Sequence, residues 1–212
     1  MNQSGQPYKD ITGTITYLDH YNTKGFEPIT LDSNVDFTII INKERYNMNI
    51  PLNCTNCQLH KTRKQVVVGR GSIPADILFI GEAPGISEDT IGLAFIGEGG
   101  KLLDYMIQEA VKNTHPVSYY ITNTVLCRPP ENREPEPTEV LKCRENILEI
   151  IQEVGATVFC LIGKVAERYY KDIIPYYHTI VHPAAILRMG DAGSDLISRN
   201  IKTLTEMIRE VR

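Results

Sequence analysis

The sequence predicts an α/β protein with three layers, αβα, around a central, mainly parallel four-stranded sheet, plus a small N-terminal β appendage. Two observations predict this fold. From residue 51 onward, apolar runs that suit buried strands alternate with amphipathic stretches that suit helices, which is typical of βαβ units. Residues 11–50 instead alternate polar and apolar side chains between turn-forming breaks, as a small antiparallel unit does.

This change of pattern divides the chain into an appendage, residues 1–50, and a main domain, residues 51–212. A chain of 212 residues fits one domain of ordinary size with such an addition. We interpret the appendage as a candidate docking surface for a protein partner.

Four apolar runs predict the strands of the main sheet. In chain order they are ADILFIGEA, SYYITNTVL, ATVFCLIG and YYHTIVH. The predicted helices are KLLDYMIQEAV, PTEVLKCRENILEIIQEVG, KVAERYY and the C-terminal DLISRNIKTLTEMIREV. Because ligands of such sheets bind at the carboxyl ends of the strands, we expect a site where GEAPG, TNTVLCRPP and VHPAAILR emerge.

The composition limits the classes of function. A hydrophobic fraction of 42% supplies a real core, and no apolar run approaches the ~18 residues of a membrane helix. The N-terminal MNQSGQPYKD has no signal-peptide pattern, so we expect an intracellular protein without a membrane partner. The net charge of −4 gives no bulk support for nucleic-acid binding, which a local basic patch can still provide.

Four cysteines have the spacing of a metal site. Cys54 and Cys57 form a C-x2-C pair, and Cys127 and Cys143 flank one Pro-rich loop. Four thiolates of this kind hold zinc or an iron–sulfur cluster, and the spacing alone does not separate the two. Cys160 lies within the apolar VFCLIG run and is interpreted as a core thiol.

Three separated motifs resemble one family. GEAPGISEDTIGLAFIGEGGKLL, TNTVLCRPPENREPEP with its following cysteine, and HPAAILR together resemble the family 4 uracil-DNA glycosylases, the iron–sulfur branch of their superfamily. The resemblance runs from about Cys54 to the C-terminus. It implies a structural [4Fe-4S] cluster on the four cysteines, with zinc as the less favoured occupant, and DNA containing uracil as the partner.

The resemblance also implies roles for the residues at the strand ends. Phe95 is expected to stack on a base flipped out of DNA, and Asn123 to read its Watson–Crick edge, since an amide both donates and accepts. His182 is expected to donate to the uracil carbonyl oxygen on which negative charge grows.

The glycine-rich loop is expected to line the pocket for this base. Gly81 lets the backbone approach the base closely. Glu82 and Glu88 stand where family members place acids, Glu82 as a catalytic group and Glu88 as a wall against the 5-methyl group of thymine. Ala83 stands where another branch of the superfamily carries a water-activating aspartate.

A second set of residues is expected to contact the DNA. By resemblance, HPAAILR enters the minor groove, with Ile186 and Leu187 as wedges and Arg188 as a phosphate or groove contact. Arg128 and Arg133 are expected to add to a local basic rim.

The function that these features predict is a DNA glycosylase. It removes uracil, or a related 5-substituted uracil, by hydrolysing the N-glycosidic bond, and it leaves an abasic site. The segment between Gly163 and His182 is shorter than is usual in the family. This keeps two alternatives open: a repurposed, non-hydrolytic binder of DNA or protein, and a base-modifying enzyme that acts on altered thymine in viral DNA.

Overall fold

The computed structural model describes residues 48–211. The predicted β appendage, residues 1–50, lies almost wholly outside the described residues, so both it and the proposed domain boundary stay predictions. The description below concerns the main domain.

Within the described residues, a five-stranded sheet forms the centre of the fold. In chain order its strands are β1 (Arg70–Gly71), β2 (Ile77–Gly81), β3 (Tyr119–Asn123), β4 (Val158–Ile162) and β5 (His178–Ile180). Their spatial order is β1-β3-β2-β4-β5; the strands from β3 to β5 in this order pair in parallel, and β1 runs antiparallel to β3. The predicted mainly parallel sheet of four strands is confirmed, and β1 adds a short edge.

Six α-helices accompany the sheet in residues 48–211. The four predicted helices are all present, whereas two short helices, Ile86–Ile91 and Pro183–Met189, were not predicted. No helix in the described part of the chain is long and apolar enough to cross a bilayer. The helices are α1 (Ile86–Ile91), α2 (Glu98–Lys112), α3 (Pro137–Val154), α4 (Gly163–Tyr170), α5 (Pro183–Met189) and α6 (Ser194–Glu210).

The central strands bury both of their faces. Along β2, Leu78 and Ile80 contribute to one core, and Ile77 and Phe79 contribute to the other. Helices α3 and α4 cover the first core, while α2 and α6 cover the second. The predicted three-layer αβα arrangement is therefore confirmed, and the strands read as continuous apolar runs because neither face meets water.

Helix α3 begins and ends at residues that the sequence marks as helix boundaries. Pro137 occupies the first turn, where its missing N–H costs nothing. The carboxylate of Glu139 accepts a hydrogen bond from the N–H of Glu136 at 2.8 Å. Gly155 ends the helix with a φ of +62°, which a glycine adopts without strain.

The parallel strands end together at one edge of the sheet. Gly81, the last residue of β2, pairs with Asn123, the last residue of β3. On the other side of β2, Ile162 at the end of β4 pairs with Ile180 at the end of β5. The loops that follow these strands therefore emerge side by side and build the site.

Candidate active site and cysteine cavity

The last two residues of β3 and the residue after them are polar and buried, which is unusual at the centre of a sheet. The hydroxyl of Thr122 donates to the carbonyl oxygen of Val68 at 2.7 Å, and that of Thr124 donates to the carbonyl oxygen of Glu82 at 2.6 Å. Between them, Oδ1 of Asn123 is buried and has no hydrogen-bond partner among the described residues. Since buried acceptors are almost always paired, this atom is one that a ligand would satisfy.

Gly81 brings the Asn123 amide and the Phe95 ring together. A Cβ atom on Gly81 would lie 2.4 Å from the Phe95 ring and 2.7 Å from Oδ1 of Asn123. Both distances are too short for any side chain, so both groups pack directly on the glycine backbone. The sequence predicted Gly81 for close approach to a base, and the structure adds that it seats the two predicted base-binding side chains.

The imidazole of His182 lies next to the Phe95 ring. The two ring centroids are 5.7 Å apart, and the ring planes are 29° from parallel. Gly163, the residue after β4, leaves room for this imidazole, because a Cβ there would lie 3.1 Å from Cβ of His182. Phe95, Asn123 and His182 therefore meet at one place.

The surroundings of His182 keep its ring neutral. Its Nδ1 accepts a hydrogen bond from the N–H of Ala184 at 3.2 Å, so the ring proton resides on Nε2. Burial, together with the positive charge of Arg188, lowers the pKa of His182 to about 4. At neutral pH the ring is an uncharged donor through Nε2.

The carboxylate of Glu88 holds the loop that carries Phe95. Its Oε1 accepts hydrogen bonds from the N–H groups of Ile96 (3.0 Å) and Gly97 (2.9 Å), and its Oε2 accepts one from Gly85 (3.1 Å). The predicted wall against a 5-methyl group stays a prediction. What the structure shows is a carboxylate that ties the start of α1 to the start of α2.

Glu82 and Ala83 follow Gly81 and are both half-buried. Burial raises the pKa of the Glu82 carboxyl, and Glu134 adds to this effect, while Arg188 and Arg168 oppose it. Ala83 packs against the core that α3 and α4 cover. Of these two positions, only Glu82 carries a group able to exchange a proton.

Helix α5 carries the residues predicted to enter the minor groove. Ile186 is 1% exposed and packs in the core with α2 and α6, so its prediction as a wedge is wrong. Leu187 is 42% exposed and Arg188 is also exposed, as their predicted roles require. Met189, which the sequence analysis did not single out, is 51% exposed and is a second apolar candidate beside Leu187.

The two arginines of the Pro-rich loop bind within the protein. Both terminal nitrogens of Arg133 contact the buried carboxylate of Glu139, at 2.9 and 2.7 Å. The guanidinium thus forms an ion pair within the protein, while its side chain is 37% exposed, and its role as a cation for DNA stays a prediction. Nε of Arg128 donates to Oδ1 of Asn132 at 2.7 Å, which leaves its terminal nitrogens for other partners.

Four cysteines line one cavity, as their spacing predicted. They are Cys54, Cys57, Cys127 and Cys143. Nη1 of Arg63 donates to the sulfur of Cys127 at 3.3 Å. A cationic donor beside a sulfur favours the thiolate, which is the form that binds metal. The donor set therefore fits a thiolate-bound metal or cluster.

Burial disfavours the thiolate form of three of these cysteines. Burial raises the pKa of Cys127 to about 12, against the opposing charge of Arg63, and burial also raises the pKa values of Cys57 and Cys143. No three His, Cys, Asp or Glu side chains in residues 48–211 form a group that could hold a metal ion as they stand. Cys160 is fully buried in the other core, as expected of a core thiol.

Fold and site together define a class of protein: a three-layer α/β domain with a pocket at the carboxyl edge of its parallel strands, lined by an aromatic ring, an amide and an imidazole. The family model described as the uracil DNA glycosylase superfamily matches residues 68–210. The chain belongs to the uracil DNA glycosylase superfamily.

Several curated proteins named type-4 uracil-DNA glycosylase are similar to this chain. The protein from Archaeoglobus fulgidus is 37% identical over 130 residues, which cover 61% of this chain and 64% of that protein. Those from Saccharolobus solfataricus and Thermotoga maritima are each 40% identical, over 116 and 119 residues. These two matches cover 55% and 56% of this chain and 53% and 61% of the relatives. The chain thus spans between half and two thirds of the length of each relative.

Sequence reasoning missed the glycine that seats the imidazole. Gly163 directly follows β4, as Gly81 ends β2, and its φ is +83°. A glycine at the end of a buried strand was therefore the available signal in both cases. Gly81 drew attention because an acidic, glycine-rich loop follows it. Gly163 stands in VFCLIGK, where no such loop marks the strand end, and its role was not predicted.

Proposed function

We propose that the protein is a uracil-DNA glycosylase. It flips uracil, or a related 5-substituted uracil, out of DNA and hydrolyses the N-glycosidic bond. The observation that carries this proposal is the buried, unpartnered Oδ1 of Asn123, which lies against Gly81 beside the Phe95 ring. A uracil base presents an N3–H donor next to the O4 acceptor, and an amide supplies the complementary acceptor and donor.

Phe95 supplies an aromatic face for the base. Its ring centroid is 5.7 Å from that of His182, whereas a planar base between two rings needs about 7 Å, twice an ordinary carbon–carbon contact. The base therefore stacks on Phe95 without being sandwiched, and the imidazole meets it at its edge. This geometry suits His182 to the carbonyl oxygen O2 rather than to the ring face.

In the reaction, the bond between N1 of uracil and C1′ of the sugar breaks, and its electron pair leaves with uracil. The oxygen of a water molecule bonds to C1′, and this water gives up a proton. The products are an abasic site and the uracil anion, which becomes uracil when it takes up a proton from the solvent. The negative charge on the departing base spreads to O2, where the Nε2–H of neutral His182 donates a hydrogen bond. One such donor typically lowers the barrier by about 3–4 kcal/mol.

Glu82 is the carboxyl group that we assign to the water. It follows Gly81 in the loop at the carboxyl edge, and burial raises its pKa. A carboxylate in this position accepts the proton that the attacking water gives up. Ala83 carries no acid–base group, so Glu82 takes the proton without help from the neighbouring position.

The DNA is held by the exposed face of α5. Leu187 and Met189 are the apolar side chains that enter the space left by the flipped nucleotide, and Arg188 contacts a phosphate. A local cation next to the pocket suffices for this contact although the chain carries a net charge of −4. Such a protein acts on DNA inside a prokaryotic or virus-infected cell.

The four cysteines hold a [4Fe-4S] cluster. The proposal is supported by the cavity that they share, by the Arg63 donor on Cys127, and by the resemblance to the iron–sulfur branch. When bound, the cluster supplies structure and no redox step. It fastens the segment before β1 to the Pro-rich loop after β3, and this loop leads directly away from Asn123.

The test is incubation of the purified protein with a uracil-containing oligonucleotide, followed by alkaline cleavage of abasic sites. We expect cleavage by the wild-type protein and losses of about 10²- to 10³-fold in the single-turnover rate for Asn123→Ala and for His182→Ala. A second oligonucleotide with a 5-substituted uracil measures the tolerance at that position. Oligonucleotides that are bound but left intact would refute the hydrolase and support the non-hydrolytic alternative.

A further inference from the structure

Phe95 has a backbone conformation that aromatic residues rarely adopt. Its φ is +52°, in the left-handed region, and its side chain is 6% exposed. A bulky residue in this region is strained and keeps its conformation only when its surroundings fix it. The ring that stacks on the base is therefore aimed by whatever holds this peptide.

Arg70 lies on the edge strand β1. Its guanidinium binds the carbonyl group that precedes Phe95 and the carbonyl group of Phe95 itself. Its Nε donates to the carbonyl oxygen of Ala94 at 2.7 Å, and its Nη2 donates to that of Phe95 at 3.1 Å. The same Nη2 forms an ion pair with Asp104 of α2 at 2.6 Å. The Arg70 side chain is 13% exposed, so solvent screens these contacts little.

Helix α2 packs against the Phe95 carbonyl group through Gly100. A Cβ on Gly100 would lie 1.7 Å from the Phe95 oxygen, so this turn of the helix packs on the carbonyl directly. Glu88 meanwhile holds the N–H groups of the next two residues, Ile96 and Gly97. The peptide is thus held on its carbonyl side by a cation and on its amide side by an anion.

Resting on the proposed function, we propose that Arg70, anchored by Asp104, is a positioning residue for catalysis. It fixes the left-handed conformation of Phe95 and thereby sets the ring against Gly81 and His182, ready for the base. Arg70 touches neither the base nor the sugar in this scheme. It acts only through Phe95.

The arrangement needs the shape of a guanidinium as well as its charge. Arg70 serves two carbonyl oxygens and one carboxylate at once through a rigid planar group. A lysine carries the same charge on a single nitrogen and cannot span the three acceptors. Arg70→Lys therefore behaves like Arg70→Gln if positioning is the role, and like the wild type if charge alone matters.

The first measurement does not depend on activity. The chain has five phenylalanines, so labelling with 4-fluorophenylalanine gives five ¹⁹F resonances, and Phe95→Leu identifies the one from Phe95. We expect Arg70→Gln and Arg70→Lys to shift or broaden the Phe95 resonance in the free protein. The matched control, Lys112→Gln, removes a cation from an exposed ion pair on α2 and leaves this resonance unchanged.

The second measurement is a double-mutant cycle on the single-turnover rate of uracil excision. We expect Arg70→Gln to lower the rate about 10-fold in the wild-type background and less than about 2-fold in the Phe95→Ala background, because residues that act as a unit are not additive. A structural role unrelated to Phe95 lowers the rate equally in both backgrounds. Where Arg70→Gln fails to fold, Asp104→Asn removes the anchor alone and serves in both measurements.

An unchanged Phe95 resonance in the Arg70 variants, or equal losses in the two backgrounds, overturns the proposal. If the wild-type protein does not excise uracil, the proposed function fails, and the fluorine spectra alone decide whether Arg70 positions Phe95.

Discussion

Phe95 and His182 place their rings 5.7 Å apart although one follows β2 and the other follows β5. Between these strands in the sheet lies β4, and Gly163 at its end leaves the imidazole its space. The contact helps to half-bury the imidazole, and this burial keeps the ring uncharged. The site is therefore a property of the whole carboxyl edge of the sheet, and changes at either ring affect the other.

His182 should remain neutral well into the acidic range. Its pKa is lowered to about 4 by burial, whereas an unperturbed histidine titrates near ~6.5. We expect its ring signals in an NMR titration, identified by their loss in His182→Gln, to show no midpoint between about pH 8 and pH 5. A midpoint near ~6.5 for this ring would contradict the burial argument.

The lowered pKa of His182 also makes the free energy of unfolding depend on pH. Between about pH 4 and ~6.5 the unfolded chain binds more protons at this histidine than the folded chain does. The contribution of neutral His182 to the free energy of unfolding is therefore fully present above about pH 6.5. It is lost as the pH falls from there towards about 4. His182→Gln should flatten this part of the pH dependence of the thermal midpoint.

Gly81→Ala should strongly lower the rate of uracil excision. The added methyl group would lie 2.4 Å from the Phe95 ring and 2.7 Å from Oδ1 of Asn123, so both side chains must move. We expect a loss of at least about 10²-fold in the single-turnover rate, because a misplacement of about 1 Å at the reacting groups has effects of this size.

Gly155→Ala is the control for this glycine substitution. Gly155 ends α3 with a φ of +62°, and a Cβ there meets nothing within 4 Å. The variant should lower the free energy of unfolding by about 1 kcal/mol and leave excision unchanged. Equal activity losses in the two variants would show that the effect of Gly81→Ala is general destabilisation.

Variants of Glu88 separate two roles for its carboxylate. If it holds the loop through Gly85, Ile96 and Gly97, Glu88→Ala lowers the excision of uracil and gives no excision of thymine. If it forms the wall against a 5-methyl group, Glu88→Ala gains activity on a thymine oligonucleotide. We expect the first result, since three backbone N–H groups occupy this carboxylate; parallel assays on the two oligonucleotides decide.

The cysteine cavity predicts a brown protein. A [4Fe-4S] cluster absorbs near ~400 nm, and Cys127→Ser should remove this absorbance and the bound iron. Cys160→Ser is the matched control, because Cys160 is buried in the other core and should leave the spectrum intact. A colourless wild-type protein that contains zinc would contradict the cluster.

Much of the fold could be predicted because burial on both faces of β2, β3 and β4 leaves a strong pattern in the sequence. Strand β1 was missed because two residues, Arg70 and Gly71, are too short a segment to show any alternation. Helix α5 was missed because HPAAILR reads as a loop until its first turn is capped by His182.

The site was predictable where a motif carries the chemistry and less so where packing decides. Phe95, Asn123 and His182 meet as their motifs implied. Ile186 was wrongly expected at the surface, because the letters of HPAAILR do not say which face of the helix packs on the core. For the same reason Arg133 looked like a free cation, although it pairs with Glu139 six residues later.

The unpaired Oδ1 of Asn123 links the proposed recognition of the base to a cost in folding stability. A buried acceptor without a partner costs roughly 1–3 kcal/mol, and no described group of the protein pairs with this oxygen. An apolar residue of similar size would give a hardier fold that is blind to the base. Selection for folding stability alone would replace this amide. Asn123 is therefore the position at which the protein gives up stability for the proposed recognition of the base.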